Sequence, residues 1–157
     1  MKSGIKLKGR VKSKIFDSGG KLLKETPWKY NTISNSAFTS VSGLIGNTGS
    51  KSAFTFLAVG TDNTAAAAAQ SALIAEVTNT GLDRIAATVS QQTDSQTEDT
   101  LQLVHTWTAT GSKTIEEIGV FDTSTSDTGT MLGRSLTESK SLSSGQMLQM
   151  IYQIIFS

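Results

Sequence analysis

A chain of 157 residues is the size of one domain, and its side chains are 37% hydrophobic and 17% charged, against about 45–50% and about 25% in ordinary globular proteins. Serine, threonine, asparagine, glutamine and 14 glycines fill the difference, a composition of short strands and small polar turns rather than of a charged disordered chain. The lack of cysteine and the lone histidine exclude disulfide staples, thiol nucleophiles and cysteine zinc sites. No apolar run approaches ~18 residues, and Met1-Lys2-Ser3-Gly4 opens without the apolar stretch of a signal peptide.

The formal net charge of +1 hides two unlike parts. Residues 1–30 hold nine cations against Asp17 and Glu25, a net +7, whereas the remaining 127 carry five cations and eleven acids, a net −6. In the basic part Lys6, Lys8, Arg10, Lys12 and Lys14 fill the even positions, and Ile5, Leu7, Val11 and Ile15 fall on the odd ones. A strand alternates faces with period two, so five cations leave one side and the aliphatics the other. Asp17-Ser18-Gly19-Gly20 marks a turn, and Lys21 to Tyr30 returns as a second strand that Pro27 keeps at a sheet edge. The expected organisation is a basic N-terminal arm or hairpin, 1–30, on a β-sandwich body, 31–157. The basic face has three readings: a guarded, solvated edge, a dock for an acidic protein surface, or a phosphate contact. The third is disfavoured, because Trp28 and Tyr30 are the only nearby aromatics and no nucleic-acid reader motif appears.

Asn31 to Gly46 reads as a short helix, with Phe38, Val41 and Ile45 at helical spacing, Asn31 or Asn35 as cap and Gly46 at its close. Ala53 to Val59 reads as an apolar strand. After the break at Gly60-Thr61-Asp62-Asn63-Thr64, the polyalanine run predicts a second helix over about 65–75, anchored only by Leu73 and Ile74. The remainder predicts strands over Asp83–Ser90, Leu101–Ala109, Thr114–Phe121 and Met131–Leu136, with polar loops at Gln91–Asp99 and Asp122–Gly129 and a turn over Ser139–Gly145. The last strand sets Leu148, Met150, Tyr152, Ile154 and Phe156 on one face and Met147, Ile151 and Ile155 on the other, so it belongs at the centre of a sheet. The fold class is therefore mainly β: an antiparallel β-sandwich or jelly-roll-like barrel, with one or two short helices near 35–45 and 65–75.

No catalytic constellation is expected. His105 lies on an alternating strand beside Trp107 and has no partner for a metal pair or triad. Adjacent Glu116 and Glu117 point to opposite faces of a strand, and Glu98 and Asp99 fall in a polar loop. Asp122 to Asp127 offers hard oxygen ligands for calcium but lacks the EF-hand order of acids, and Gly60-Thr61-Asp62 lacks the lysine and glycines of a phosphate loop. Neither a metal nor a cofactor is expected.

Several segments together carry a resemblance. They are Phe16-Asp17-Ser18-Gly19-Gly20-Lys21, Val59-Gly60-Thr61-Asp62, Ala72-Leu73-Ile74-Ala75-Glu76, an Arg84 strand, Thr114-Ile115-Glu116-Glu117-Ile118-Gly119-Val120-Phe121, and Met131-Leu132-Gly133-Arg134 before a closing apolar strand. In this order the chain resembles small structural proteins of tailed bacteriophages, which carry a VGTG segment, a T-x-x-E-x-G-(L/V)-F strand and an xMLxR strand. Asp62 stands in place of the second glycine of the first motif, and polyalanine replaces a more varied stretch. The resemblance implies a non-enzymatic virion component, on the capsid exterior or the tail. The first expectation is a capsid decoration (cement) protein that bridges shell subunits as a dimer or trimer, with Lys6, Lys8, Arg10, Lys12 and Lys14 docking on the major capsid protein or another virion protein. The alternative is a tail, baseplate or fibre-associated β-domain, including a receptor-binding one. A glycan-binding version needs exposed aromatic rings, and of Trp28, Tyr30, Trp107 and Tyr152 the last two are expected in the core.

Overall fold

The structure, a computed structural model, describes residues 4–157. Eleven strands and one helix follow in chain order: β1 (Leu7–Phe16), β2 (Leu22–Glu25), β3 (Lys29–Tyr30), β4 (Thr32–Ile33), α1 (Asn35–Gly46), β5 (Phe56–Gly60), β6 (Ile85–Ala86), β7 (Thr88–Gln92), β8 (Thr100–Thr108), β9 (Lys113–Phe121), β10 (Met131–Leu142) and β11 (Met147–Phe156). They form two antiparallel sheets packed as a β-sandwich. Sheet one runs β2-β1-β11-β8-β7, with β3 pairing β1 beyond β2, and sheet two runs β4-β10-β9-β5-β6. As its two apolar faces require, β11 is central, between β1 and β8. The core is made where the inner faces meet: Val11, Ile15, Leu103, Trp107, Leu148, Met150, Tyr152 and Ile154 against Leu57, Val59, Ile115, Ile118, Val120 and Leu132.

The basic segment folds as a hairpin, but its first strand is no detached arm. β1 pairs with β11 over ten residues, from Leu7↔Phe156 to Phe16↔Met147, and the ladder continues where Lys6 and Ser157 exchange backbone hydrogen bonds of 2.6 and 3.0 Å. The alternation makes this placement favourable, since Val11, Ser13 and Ile15 are buried while Arg10, Lys12 and Lys14 stay half-buried on the outer side. Pro27 falls between β2 and β3, where the edge of sheet one is interrupted.

The helix begins at Asn35, later than Asn31. Thr32 and Ile33 are drawn into pairing with β10, and Ser34 stands extended at the N-cap with its hydroxyl donating to the carbonyl of Met131. Asn47, in the left-handed conformation at φ 49°, closes it rather than Gly46. The face pressed on the sandwich consists of Ala37, Ser40 and Gly43. A side chain at Gly43 would meet Lys51 Cγ at 2.7 Å and the Thr48 carbonyl at 3.0 Å, so the glycine makes room for the turn that follows the helix. Of the apolar positions at helical spacing, Val41 packs against the core, whereas Phe38, 55% exposed, and Ile45, 80%, turn outward.

The second predicted helix does not form, and 65–75 is irregular. Alanine favours a helix, but a short one is marginal in water without tertiary packing. Here the backbone finds other partners: Ala67 N–H donates to the Gln70 side chain at 2.9 Å, Thr61 N–H to the Ala75 carbonyl at 3.0 Å, and Val77 N–H to the Val59 carbonyl at 2.9 Å. The open path lets Leu73 reach a second apolar cluster with Ala58, Phe121 and Met131 on the outer side of sheet two. β10 also runs further than Met131–Leu136, to Leu142, across an irregularity in its register with β9 between Leu136 and Lys140.

Because β1 supplies core side chains, Ile15→Ala should destabilise the protein by about 2–4 kcal/mol, the range for truncating a buried aliphatic. Urea unfolding followed by tryptophan fluorescence measures it. A midpoint unchanged from the parent would mean that β1 is peripheral after all.

Candidate functional site

The five cations singled out from the sequence share the outer face of sheet one. Alternate residues along a strand are about 7 Å apart, so Lys6 to Lys14 form a stripe roughly 27 Å long. Lys6 and Lys8 are exposed and make no ion pair among the described residues. Arg10 is committed to the fold: Nε donates to Gln153 Oε1 at 2.7 Å, a terminal nitrogen lies 3.1 Å from Asp94, and the guanidinium sits 4.7 Å from the centre of the Trp28 ring. Lys12 pairs with Glu25 and also faces Trp28, at 5.7 Å. Lys14 lies opposite Glu25 in the β1–β2 register. The Glu25 carboxyl is held below its ordinary range, first by the hydrogen bond from Lys12 and then by the charges of Lys12 and Lys14.

Beyond β1 the outer face turns neutral and polar. Gln153 donates to Gln102 at 2.8 Å, so Asp94, Arg10, Gln153 and Gln102 form a chain of contacts from the 93–99 loop across three strands. Gln149 likewise reaches Thr106 at 3.1 Å. The 93–99 loop is organised by Asp99, whose carboxylate accepts from the N–H groups of Gln96 (2.7 Å), Asp94 (2.8 Å) and Ser95 (2.9 Å). The bonds from Gln96 and Asp94 lead in holding this carboxyl far below its ordinary range. An acid in this state contributes order above about pH 4, its unfolded value, and the contribution is lost only as pH falls through the depressed folded value.

A second constellation, buried and charged, lies on the outer side of sheet two. The side chains of Arg134 on β10 and Glu117 on β9 are 1% and 0% exposed, with Nε 2.5 Å from Oε2. The same carboxylate accepts from the N–H groups of Ala75 at 2.8 Å and Ile74 at 3.2 Å. Arg134 also donates to the Thr64 carbonyl at 2.8 Å and to Gln70 at 3.3 Å, and lies 3.5 Å from Asp62. Gly60 makes the room, since a side chain there would overlap the Glu117 carboxylate and approach the Ala75 carbonyl to 2.7 Å. Nearby, Arg84 pairs with Glu76, both side chains within 5% exposure. It also covers the Phe121 ring at 3.6 Å and donates to the carbonyls of Thr125 at 2.9 Å and Thr128 at 3.1 Å. Composition and periodicity give no sign of these pairs. The signal lay in the quoted motifs, because Gly60, Asp62, Glu117 and Arg134 come from three separate segments of the resemblance and meet at one point.

The remaining candidates fall elsewhere. His105 packs edge-on against Trp107, ring centres 4.7 Å apart, and burial lowers its pKa, which favours the neutral ring at pH 7. Glu117 is sealed in its ion pair, while Glu116 beside it is half-buried. At the Asp122–Asp127 loop the carbonyls of Thr125 and Thr128 accept from Arg84, and Asp122 accepts from the Thr130 N–H at 2.6 Å. Asp62 of the Gly60-Thr61-Asp62 turn accepts from the Thr64 N–H at 2.7 Å. No group of three or more metal-ligating side chains occurs among the described residues, and no helix among them is long and apolar enough to cross a membrane. Trp107 and Tyr152 are core residues, whereas Trp28 and Tyr30 are 36% and 70% exposed. The chain matches no family model, no curated protein and no solved structure.

Removing one partner of a buried ion pair strands the other charge. Arg134→Ala should therefore cost about 3–5 kcal/mol, while Glu117→Leu combined with Arg134→Met should recover part of that loss. Equilibrium denaturation of the parent and the two variants decides it, and a double variant no more stable than Arg134→Ala alone would refute the assignment of the loss to a stranded charge.

Proposed function

We propose that this chain is a non-enzymatic virion structural protein of the tailed-phage type, a capsid decoration protein that docks through the outer face of β1 onto an acidic surface of the shell. The observation that carries the reading is the cationic stripe on a strand hydrogen-bonded along its length. A flexible arm would have to be ordered on binding, but this stripe presents its charges in a fixed register, which lowers the entropic cost of docking. Asp94 and Glu25 offset Arg10 and Lys12, so the charge that faces outward unspent is that of Lys6 and Lys8. Such a surface speeds encounter and gives salt-sensitive binding to an acidic partner. Because β1 already pairs with β11, it docks through its side chains and not by adding a strand to a neighbour. The motif segments that meet at Glu117 and Arg134 support the virion reading as far as sequence resemblance carries it.

A tail, baseplate or fibre-associated role is the second reading. It is favoured by Trp28 and Tyr30, two exposed rings beside the cations on which a sugar could stack. Copy number separates the two: quantitative mass spectrometry of purified particles should find this chain at a number comparable to the major shell protein for decoration, and at a few tens or fewer for a tail or fibre.

Lys6→Glu with Lys8→Glu should leave the fold and thermal midpoint near the parent's. The same pair should remove most of the protein from particles at moderate salt, where the parent stays bound. Pelleting the particles and counting retained copies measures this, and full retention of the charge-reversed protein would exclude docking by β1.

A further inference from the structure

Two lapses in the sheets fall opposite one another. On sheet one the edge is broken where Pro27, which has no N–H to pair, separates β2 from β3. On sheet two the register between β9 and β10 lapses from Leu136 to Lys140. Between them opens a cavity of about 280 Å³ whose walls include Lys12, Pro27, Trp28, Lys29, Thr137 and Glu138. Pockets for drug-sized ligands span about 300–1,000 Å³, so this one suits a single ring. Trp28 and Pro27 give it flat apolar surface, and the indole is held by Arg10 and Lys12, 4.7 and 5.7 Å from its centre. Of the charged side chains in the lining, Lys12 is matched by Glu25. Glu138 holds Lys24 at 3.2 Å and Lys140 at 3.3 Å, both through Oε2, and no donor among the described residues reaches its Oε1. Lys29 is exposed and makes no ion pair among the described residues. It stands opposite Val11 in the β1–β3 register. Opposed residues share a face and Val11 is a core residue, so the Lys29 side chain leaves on the side that looks toward β10.

We infer that this cavity binds one hexuronate residue, a pyranose ring that carries a carboxylate. The walls make three demands, and this ligand class answers each. Trp28 offers a rigid apolar plane for the C–H face of the ring. Lys29 is the one lining charge left unanswered, and it takes the carboxylate as a charge-assisted hydrogen bond. Glu138 Oε1, an acceptor on a side chain already fixed by two lysines, takes a ring hydroxyl. Neighbouring classes each miss one demand. A neutral sugar leaves Lys29 unmatched, and an aromatic acid brings no hydroxyl for Glu138, whose carboxylate then repels it. The inference rests on the second reading above only for the stacking surface, not for the place of the chain in a particle. Copy number per particle and sugar binding by the purified chain are separate measurements, and each can fail alone.

The test is isothermal titration calorimetry of the full chain with sodium galacturonate. One site per chain is expected, with a Kd on the order of a millimolar, as for a small ligand in a shallow site. Galactose, which lacks the carboxylate, and benzoate, which lacks the hydroxyls, should bind at least about tenfold more weakly. Lys29→Met changes an exposed side chain, so it should keep the parent's thermal midpoint. It should weaken galacturonate about tenfold and leave galactose unchanged. Trp28→Ala should abolish binding of both sugars. Absence of galacturonate binding well above that concentration overturns the inference. Galacturonate affinity that Lys29→Met leaves at the parent's value, or benzoate bound as tightly as galacturonate, overturns it equally.

Discussion

Burying two charges is favourable only when nearly every donor and acceptor they bring finds a partner, and the Glu117–Arg134 pair meets that condition by recruiting three stretches of chain. The carboxylate takes the arginine and two backbone N–H groups, and the guanidinium takes a backbone carbonyl, a glutamine and a second acid. Geometry this complete offsets the desolvation cost of both ions. It also fixes the course of residues 61–77, which have too few apolar side chains to hold themselves down. The polyalanine run lies over sheet two because polar atoms at defined points tether its backbone, and a missing side chain at Gly60 gives the carboxylate its space.

Arg84 extends the same device. Its pairing with Glu76 anchors the end of the irregular segment, its stacking on Phe121 covers apolar surface, and its terminal nitrogen gathers carbonyls from the 122–129 loop. Two arginines thus do for the outer side of sheet two what an amphipathic helix does in many sandwiches. The side chains of Arg134, Glu117, Arg84 and Glu76 are all within 5% exposure, and each charge is answered inside the chain.

The opposite outer face behaves differently. On sheet one the charges sit on a continuous strand, the polar side chains bond laterally across β11 and β8, and Trp28 is flanked by Arg10 and Lys12. Of the five cations Arg10 and Lys12 are matched within the chain, Lys14 lies half-buried, and Lys6 and Lys8 face solvent. The charges on sheet two are spent within the fold, those on sheet one are in part left facing solvent, and the neutral outward side of α1 adds a surface of a third kind.

Period-two alternation was enough to place β1, β8, β9 and β11, because a strand with one apolar side has a single favourable orientation against a core. The central position of β11 followed from its two apolar sides, and the five cations fell on one face by the same rule. Alternation does not say which strand β1 pairs with, and so could not distinguish a detached arm from a built-in strand. That was decided by the ten-residue register with β11. Helix propensity failed at 65–75, where side-chain hydrogen bonds from residues more than forty positions away compete for the same backbone groups. Helical spacing found α1, but of Phe38, Val41 and Ile45 only Val41 packs against the core, and the side that is buried is the one made of the small Ala37, Ser40 and Gly43. Local pattern by itself determined which segments are strands and which way each one faces. Tertiary structure alone decided which charges are buried together and which apolar side chains remain uncovered, because both depend on elements distant in sequence arriving within a few ångströms of each other.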